Sequence, residues 1–215
     1  MANQALFTHC RSDAASPAGN RRPKPQDGFS LVEVLASVVI LSFGLLGMAA
    51  LQSSALKANR EARLQSRAVL LARDLAEHIR NNNSVGLLKG LSNPYLGTFV
   101  PNTSNPDTHL VPPTPNDCMS IGCPTNTDIA QAEMTEWLYR VSDQLPGAHV
   151  SVCIDDQPFD PSGTPRWPCS QNGDVIVIKI GWTRSHTDTS LHGSDAFDRA
   201  TAPAVVFPIS AGNNL

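Results

Sequence analysis

A long apolar run lies near the start of the chain. Residues 29–56 contain a single formally charged side chain, Glu33. A helix needs about 20 apolar residues to cross the roughly 30 Å hydrocarbon core of a bilayer, so this run predicts a membrane-spanning helix, which we assign to residues 29–52. Three basic side chains between positions 21 and 24 precede it. This asymmetry predicts that the N-terminal side stays in the cytoplasm and that the rest of the chain is exported.

The helical period continues beyond the apolar run. Apolar side chains recur at spacings of three and four, as on one face of an amphipathic helix, at Leu64, Ala68, Leu71, Leu75 and Ile79. Three asparagines at 81–83 and Gly86 then end the pattern. The sequence therefore predicts one long helix over residues 29–82, apolar all round in its first half and amphipathic in its second.

The remaining residues, 83–215, predict a globular head. Prolines concentrate in the segment 83–127, which we expect to be an irregular loop. A second helix is predicted over residues 128–145, with Asp128 as its N-cap and with Trp137 on its buried apolar stripe. A Pro-Gly pair follows and stops this helix.

Alternating apolar positions after the second helix predict strands. The pattern covers residues 148–154 and 175–182, with Lys179 on the opposite face from the apolar positions of its strand. A weaker strand is predicted over 204–209, where Pro208 favours an edge position. The order of elements predicts an α+β fold in which a small head with an antiparallel β-sheet, within residues 148–210, packs on the long N-terminal helix.

Charge divides the chain at residue 28. The 215-residue chain has a formal net charge of −3, but residues 1–28 carry +2 and residues 29–215 carry −5. A sequence pI near 6 argues against a nucleic-acid-binding protein, and a hydrophobic content of 41% excludes a disordered chain. Residues 1–28 show no apolar periodicity and are predicted to be an unstructured leader.

The junction between leader and apolar run carries the most specific signal. A conventional secretory signal places its small-residue cleavage site after the apolar segment, whereas here Gly28 precedes that segment. Cleavage after Gly28 would remove the basic leader and leave the apolar helix on the mature chain. Phe29 then stands first and Glu33 fifth. This pattern resembles the prepilins of the type IV pilin family.

The resemblance implies a fixed set of roles for these residues. A prepilin peptidase, which supplies its own catalytic aspartates, would cut between Gly28 and Phe29, and Phe29 would become a methylated N-terminus. Glu33 would pair with the N-terminal amine of a neighbouring subunit. A carboxylate inside hydrocarbon costs a few kcal/mol, so Glu33 needs such a partner. The alternative is an interfacial carboxylate that reaches the lipid headgroups.

Further segments look like one group within this family, the minor pilins described as type IV pilus modification protein PilV. These segments are residues 44–52 and 71–81, together with Trp137, the turn at 145–147 and the late strand at 175–182. The resemblance implies a structural subunit without enzymatic activity that helps to initiate or prime type IV pilus assembly. It also implies a single-pass protein of the inner membrane with a periplasmic head, which enters the pilus at the tip or along the shaft.

The implied partners are the prepilin peptidase, other minor pilins, the major pilin and a tip adhesin. Two other functions stay open at this point. A minor pseudopilin of a type II secretion system would share the junction and the helix. A membrane-anchored periplasmic binding module would share only the membrane span.

Four cysteines follow the predicted span, and Cys10 lies in the leader. An even number of cysteines in an oxidising compartment predicts two disulfides with three possible connectivities. We favour the pairs Cys118–Cys123 and Cys153–Cys169, because each brackets a loop rich in breakers. A zinc site formed by the same four thiolates is disfavoured, since the spacings lack the usual short pairs.

No pattern in the sequence predicts an active site or a cofactor. The histidines at 109, 149, 186 and 192 are scattered, without a hydrolase or metalloprotease motif around them. An acidic loop with Asp155, Asp156 and Asp160 lacks the spacing of an EF-hand, and we expect it to be a solvated loop.

Overall fold

The computed structural model of the protein describes residues 28–101, 109–185 and 197–210. Residues 1–27 of the predicted leader, Cys10, His186 and His192 lie outside the described residues. The fold is α+β: a long N-terminal helix, a second helix and a four-stranded antiparallel sheet. Residues up to Ala50 form one compact unit, and Leu51–Leu215 form another.

The first helix, α1, comprises Leu31–Asn81. The carbonyl of Ser30 accepts hydrogen bonds from the amides of Glu33 at 3.0 Å and Val34 at 3.3 Å, which starts the helix. The large apolar side chains from Leu31 to Met48 are between 44% and 79% exposed. An 18-residue window of the helix has a mean hydropathy of 2.4 and meets the length and composition criteria of a membrane span.

The second half of α1 buries one stripe of side chains in the head. Its buried members are Leu64, Ala68, Leu71, Ala72, Leu75, Ala76 and Ile79. Three of the seven are alanines, which lets neighbouring elements approach the helix axis closely. Trp137 is fully buried and donates its indole N–H to the carbonyl of Leu71 at 2.9 Å, so the predicted core position of this tryptophan is confirmed. The bond fixes α1 against the second long helix.

That second helix, α4, comprises Asn126–Gln144. Its N-cap is Thr125, whose hydroxyl accepts from the amide of Asp128, while the Asp128 carboxylate accepts from the amide of Thr125. The expectation that Asp128 is the N-cap is therefore wrong: Asp128 occupies the third helical position of a capping box. A reciprocal pair satisfies two amides that the helix leaves free, which a lone cap at 128 would not do.

We expect Thr125→Ala to lower the free energy of unfolding by about 1 kcal/mol, because it removes the acceptor for the Asp128 amide. Thr127→Ala is the matched control, since Thr127 is an exposed threonine in the first turn of the same helix. Urea unfolding of both variants measures the difference. Equal stability of the two would show that the capping box contributes nothing.

The main sheet has the strand order β1-β2-β3-β6, and every pairing is antiparallel. Its strands are β1 Gly97–Phe99, β2 His149–Ile154, β3 Ile176–Gly181 and β6 Val205–Ile209. Central pairs include Val152 opposite Ile178 and Ile180 opposite Val205. Among the described strands β6 lies at one edge, and Pro208 is on it, as the sequence predicts.

The predicted irregular loop 83–127 contains more structure than expected. Strand β1 lies in it and pairs with β2, with Phe99 opposite Val150. Two short helices, α2 Asn83–Gly86 and α3 Cys118–Ile121, and a 3₁₀ turn at Gly90–Ser92 also lie there. A second, two-stranded sheet pairs β4 Arg184–Ser185 with β5 Phe197–Asp198. Each of these elements is too short to give a periodic signal in the sequence.

Candidate processing and assembly site

The Gly28–Phe29 bond lies in exposed chain just before α1. Gly28 is exposed and the Phe29 side chain is 86% exposed. Among the described residues, no heavy atom lies within 4 Å of the place where a Cβ on Gly28 would stand. The fold of this chain therefore does not require glycine at this position. A reason for glycine lies in close approach of another molecule to the backbone, as in a protease active site.

Glu33 lies in the first turn of α1 and is exposed. The free amides at a helix N-terminus favour a carboxylate at this place. Within the described part of the chain, no basic side chain lies within ion-pairing distance of Glu33. Its sequence neighbours Val32 and Val34 are apolar. A carboxylate surrounded by hydrocarbon here would need a cation from another molecule.

The apolar side chains in the first half of α1 are exposed, and no other described residue of the first unit covers them. Full burial of a large aliphatic side chain is worth about 1.5–3 kcal/mol, and a bilayer or a bundle of like helices would provide it. Gly44 and Gly47 lie within this half, and the helix continues through both. No described atom approaches the Cβ position of either glycine, so both offer flat places for a neighbouring helix.

Two family models match adjoining parts of the chain. Residues 23–49 match the prokaryotic N-terminal methylation motif, and residues 50–135 match the model described as type IV pilin Tt1218. Over residues 23–135 the chain is therefore similar to type IV pilins. No curated protein and no solved structure matches the chain. The methylation motif includes the Gly28–Phe29 junction, and the pilin match includes the amphipathic half of α1 and the first half of α4.

The two matches carry three implications. Type IV pilins are structural proteins, not enzymes. The prepilin motif implies processing by a prepilin peptidase and assembly into a pilus with other pilins. The motif and the apolar helix together indicate anchoring in a membrane before assembly.

The head holds four cysteines at disulfide distance in two pairs. Cys118 pairs with Cys123 with a Cα–Cα distance of 5.1 Å, and Cys153 pairs with Cys169 at 6.4 Å. These are the two pairs that the sequence favours. The first closes α3 onto the start of α4. The second ties Cys169, in the loop that precedes β3, to Cys153 in β2.

The Cys153–Cys169 pair lies beside a buried ion pair. Lys179 Nζ is 2.6 Å from Asp155 Oδ2, and both side chains are completely buried. The ammonium also donates to the carbonyl of Pro168 at 2.9 Å, while Asp155 Oδ1 accepts from the amides of Gln157 and Ser170. The pair therefore fixes both ends of the loop that the disulfide closes.

These contacts correct one expectation from the sequence: Asp155 is buried and does not belong to a solvated acidic loop. The face of β3 that carries Lys179 is buried as well. The alternation along β3 fails as a guide to exposure because both faces of the strand are covered, and all six of its residues are buried. A lysine within an Ile-rich strand is a signal that sequence reasoning could have used to find a buried pair.

Cys153, Asp155 and Cys169 are the described residues whose potential ligand atoms lie within 4.8 Å of one another. Their donor atoms are already committed in this structure. The two sulfurs are at disulfide distance from each other, and the carboxylate binds Lys179. The group therefore does not fit a metal ion while the disulfide is intact.

The rest of the acidic loop stabilises its own turn. Asp160 Oδ1 accepts hydrogen bonds from the hydroxyl and amide of Ser162 and from the amide of Thr164, and these contacts lower the pKa of Asp160. Asp156 is exposed. Two of the four histidines named above, His109 and His149, lie among the described residues, and each is stacked on an aromatic ring. The ring centroids are 4.0 Å apart for His109 and Tyr139 and 3.6 Å apart for His149 and Trp167. Burial lowers the pKa of His149.

A polar network that the sequence does not predict joins α1 to α4. His78 Nδ1 lies 3.1 Å from Glu133 Oε1, and Arg140 lies 2.6 Å from Asp74. The hydroxyl of Tyr95 donates to Glu133, and burial together with this carboxylate raises the pKa of Tyr95. The network spans residues far apart in sequence and sets the relative rotation of the two helices inside the head.

Proposed function

We propose that this chain is a minor pilin, a structural subunit that helps to initiate or prime type IV pilus assembly together with other minor pilins. The observation that carries the proposal is the exposed Gly28–Phe29 junction that opens directly onto α1, with Glu33 in the first turn. The minor role is supported by the resemblance of residues 44–52 and 71–81 to the PilV group.

In this proposal the chain passes through three states. The peptidase hydrolyses the peptide bond after Gly28, releasing residues 1–28 and leaving a free amine on Phe29, which is then methylated. The apolar half of α1 holds the processed subunit in the inner membrane. On assembly, the Glu33 carboxylate of one subunit pairs with the N-terminal ammonium of a neighbour, and the apolar side chains pack against other α1 helices.

The proposed orientation places the head in the periplasm. It is supported by the +2 charge of residues 1–28 against −5 for the rest, since basic flanks stay on the cytoplasmic side. Two disulfide-distance pairs in the head fit an oxidising compartment. The same head would present surfaces to other minor pilins, to the major pilin and to a tip adhesin.

We expect Glu33→Ala to reduce incorporation into pili about tenfold or more, because the buried amine of a neighbour would lose its partner at a cost of a few kcal/mol. Mass spectrometry of sheared pili, normalised to the subunit in the membrane fraction, measures the effect. Ser37→Ala, one turn further along the same exposed face, is the control and should incorporate normally. Normal incorporation of Glu33→Ala beside the other pilus subunits would refute the pairing role.

A minor pseudopilin of a type II secretion system shares the junction and the helix, so a gene deletion must separate the two. Loss of surface pili with normal secretion of enzymes supports the pilus role. Normal pili with loss of secreted enzymes would assign the chain to the secretion system. Mass spectrometry of purified pili also reads the processed N-terminus, and a start at Phe29 with an added methyl group is expected.

A further inference from the structure

A stripe of three arginines on α1 remains without a role in the fold. Arg60, Arg63 and Arg67 stand at relative positions i, i+3 and i+7, within an arc of about 60° on the helix surface, and all three are exposed. We call these three residues the arginine stripe. Among the described residues, no carboxylate lies within ion-pairing distance of the stripe.

Three other arginines of the head are paired with carboxylates. Arg80, Arg140 and Arg184 lie 2.6–2.8 Å from carboxylates of Glu77, Asp74 and Glu61, respectively. The three arginines of the stripe have no such carboxylate partner within the described part of the chain, and they share one arc of the helix. Three unpaired guanidinium groups on one face are suited to an external anion.

The stripe lines one wall of a cavity of about 490 Å³. Ser142, Asp143 and Gln144, at the C-terminal end of α4, line the opposite wall. The Ser142 hydroxyl is committed to Leu138 and Leu110, which leaves Asp143 and Gln144 available to a ligand. The cavity thus has a cationic wall on α1 and a wall of hydrogen-bond acceptors on α4. Asp143 makes no ion pair with the three arginines, so its carboxylate can accept from a ligand.

A group that carries both a negative phosphate and hydroxyl donors matches these two walls. The phosphate would lie on the arginine stripe, and the hydroxyls would donate to Asp143 and Gln144. Three guanidinium groups against one carboxylate leave a positive balance, so an anionic group is favoured over a zwitterionic one. A phosphoglycerol lipid headgroup has this chemistry.

The position of the stripe along the helix points to a lipid and not to a free anion. The polar residues that follow the apolar run begin at Gln52. At 1.5 Å per residue, Arg60 stands about 12 Å further along the helix and Arg67 about 22 Å. Arginine side chains extend several ångströms and turn towards headgroups, so the lower part of the stripe reaches the headgroup layer. Lys57, between Gln52 and Arg60, adds a fourth positive charge on this side.

We propose that the arginine stripe and the facing end of α4 form a binding site for the headgroup of an anionic phospholipid, phosphatidylglycerol, on the side of the membrane where the head lies. Basic residues near a membrane surface contribute cumulatively to binding of anionic lipid. The site would hold the head close to the bilayer until assembly withdraws α1 from it. This inference rests on the membrane span of the proposed function but not on a priming role.

The test uses the full chain in nanodiscs made from an equimolar mixture of phosphatidylcholine and phosphatidylglycerol. Mass spectrometry of the protein released from the nanodisc gives the ratio of the two lipids retained on it. We expect the wild-type chain to retain an excess of phosphatidylglycerol. The triple variant Arg60→Gln/Arg63→Gln/Arg67→Gln should lower that ratio about tenfold or more.

Arg73→Gln is the matched control. Arg73 is an exposed arginine on the same helix, without an ion-pair partner among the described residues, but it lies about 120° around the helix from the stripe. Its substitution should leave the lipid ratio unchanged. An equal loss in the control and the triple variant would show a general charge effect and would overturn the site.

Three further outcomes would overturn the proposal. They are a wild-type ratio no different from the nanodisc mixture, an unchanged ratio in the triple variant, and displacement of the lipid by inorganic phosphate at the same concentration. If the triple variant keeps the wild-type lipid ratio but is lost from pili, the stripe belongs to a subunit interface and not to a lipid site. Size-exclusion chromatography shows whether the wild-type chain enters nanodiscs, and its failure to do so would refute the membrane span. Failure of the lipid site is therefore distinguishable from failure of the membrane span.

Discussion

Replacing Lys179 with methionine is expected to lower the free energy of unfolding by about 3–5 kcal/mol, because it leaves a buried carboxylate without its counter-ion. The Lys179 ammonium lies 2.6 Å from Asp155, and neither side chain is exposed. Methionine fills most of the volume but cannot donate to Asp155 or to the carbonyl of Pro168. Urea unfolding of the full chain in detergent, followed by tryptophan fluorescence, measures the loss.

Lys89 provides a matched control for this substitution. It also pairs with an aspartate at 2.8 Å, but the side chains of Lys89 and Asp174 are 63% and 89% exposed. An exposed pair is worth at most about 1 kcal/mol, so Lys89→Met should have a small effect. The double variant Lys179→Met/Asp155→Leu should recover part of the stability, since it removes the unpaired charge. Equal effects of the two lysine substitutions would show that the buried pair is not special.

The pH dependence of stability gives an independent check on the same pair. Burial raises the pKa of Asp155, but the hydrogen bonds from Lys179 and from the amides of Gln157 and Ser170 outweigh burial and lower it on balance. The folded-state pKa therefore lies below the unfolded value of about 3.9. Asp155 contributes stability above that pH, and this contribution is lost as the pH falls through the folded pKa. In Lys179→Met the loss should begin at a higher pH.

Replacing Gly28 with leucine is expected to abolish removal of the leader, so that the unprocessed chain accumulates in the membrane. A side chain at this position would block close approach of a protease to the backbone. Because no described atom lies near the Cβ position of Gly28, the substitution leaves the fold of this chain intact. The mass of the membrane-bound chain reports whether residues 1–28 are still present.

Gly28→Ala serves as the graded control. It adds a single methyl group, so we expect slower but detectable processing. Normal processing of Gly28→Leu would show that the junction is not read by a prepilin peptidase. Because the folded head of both variants should be the same, the stability measured by urea unfolding should not differ between them.

Periodic patterns in the sequence predict the long elements of this fold. The apolar run at 29–56 and the stripe from Leu64 to Ile79 predict α1, and the stripe around Trp137 predicts α4. Each pattern repeats over several helical turns, so one exception does not hide it. The alternation in β2 and β3 locates the central strands for the same reason.

Contacts between distant segments could not be predicted in this way. The three residues of β1 carry no period of their own, and their place in the sheet depends on pairing with β2, more than 50 residues away. The burial of Lys179 depends on the loop around Asp155 that covers it. The arginine stripe appears as an ordinary solvated helix face until the end of α4 is placed opposite to it.

The two cysteine pairs of the head follow one another along the chain without interleaving, with sequence separations of 5 and 16 residues. Short loops close at a lower entropic cost than long ones. In the proposed export of the head, Cys118 and Cys123 cross the membrane first and can pair before Cys153 and Cys169 follow. Oxidation can then follow the order of export. Wrongly paired disulfides would form only if Cys118 and Cys123 stayed reduced until Cys153 and Cys169 had also passed through the membrane.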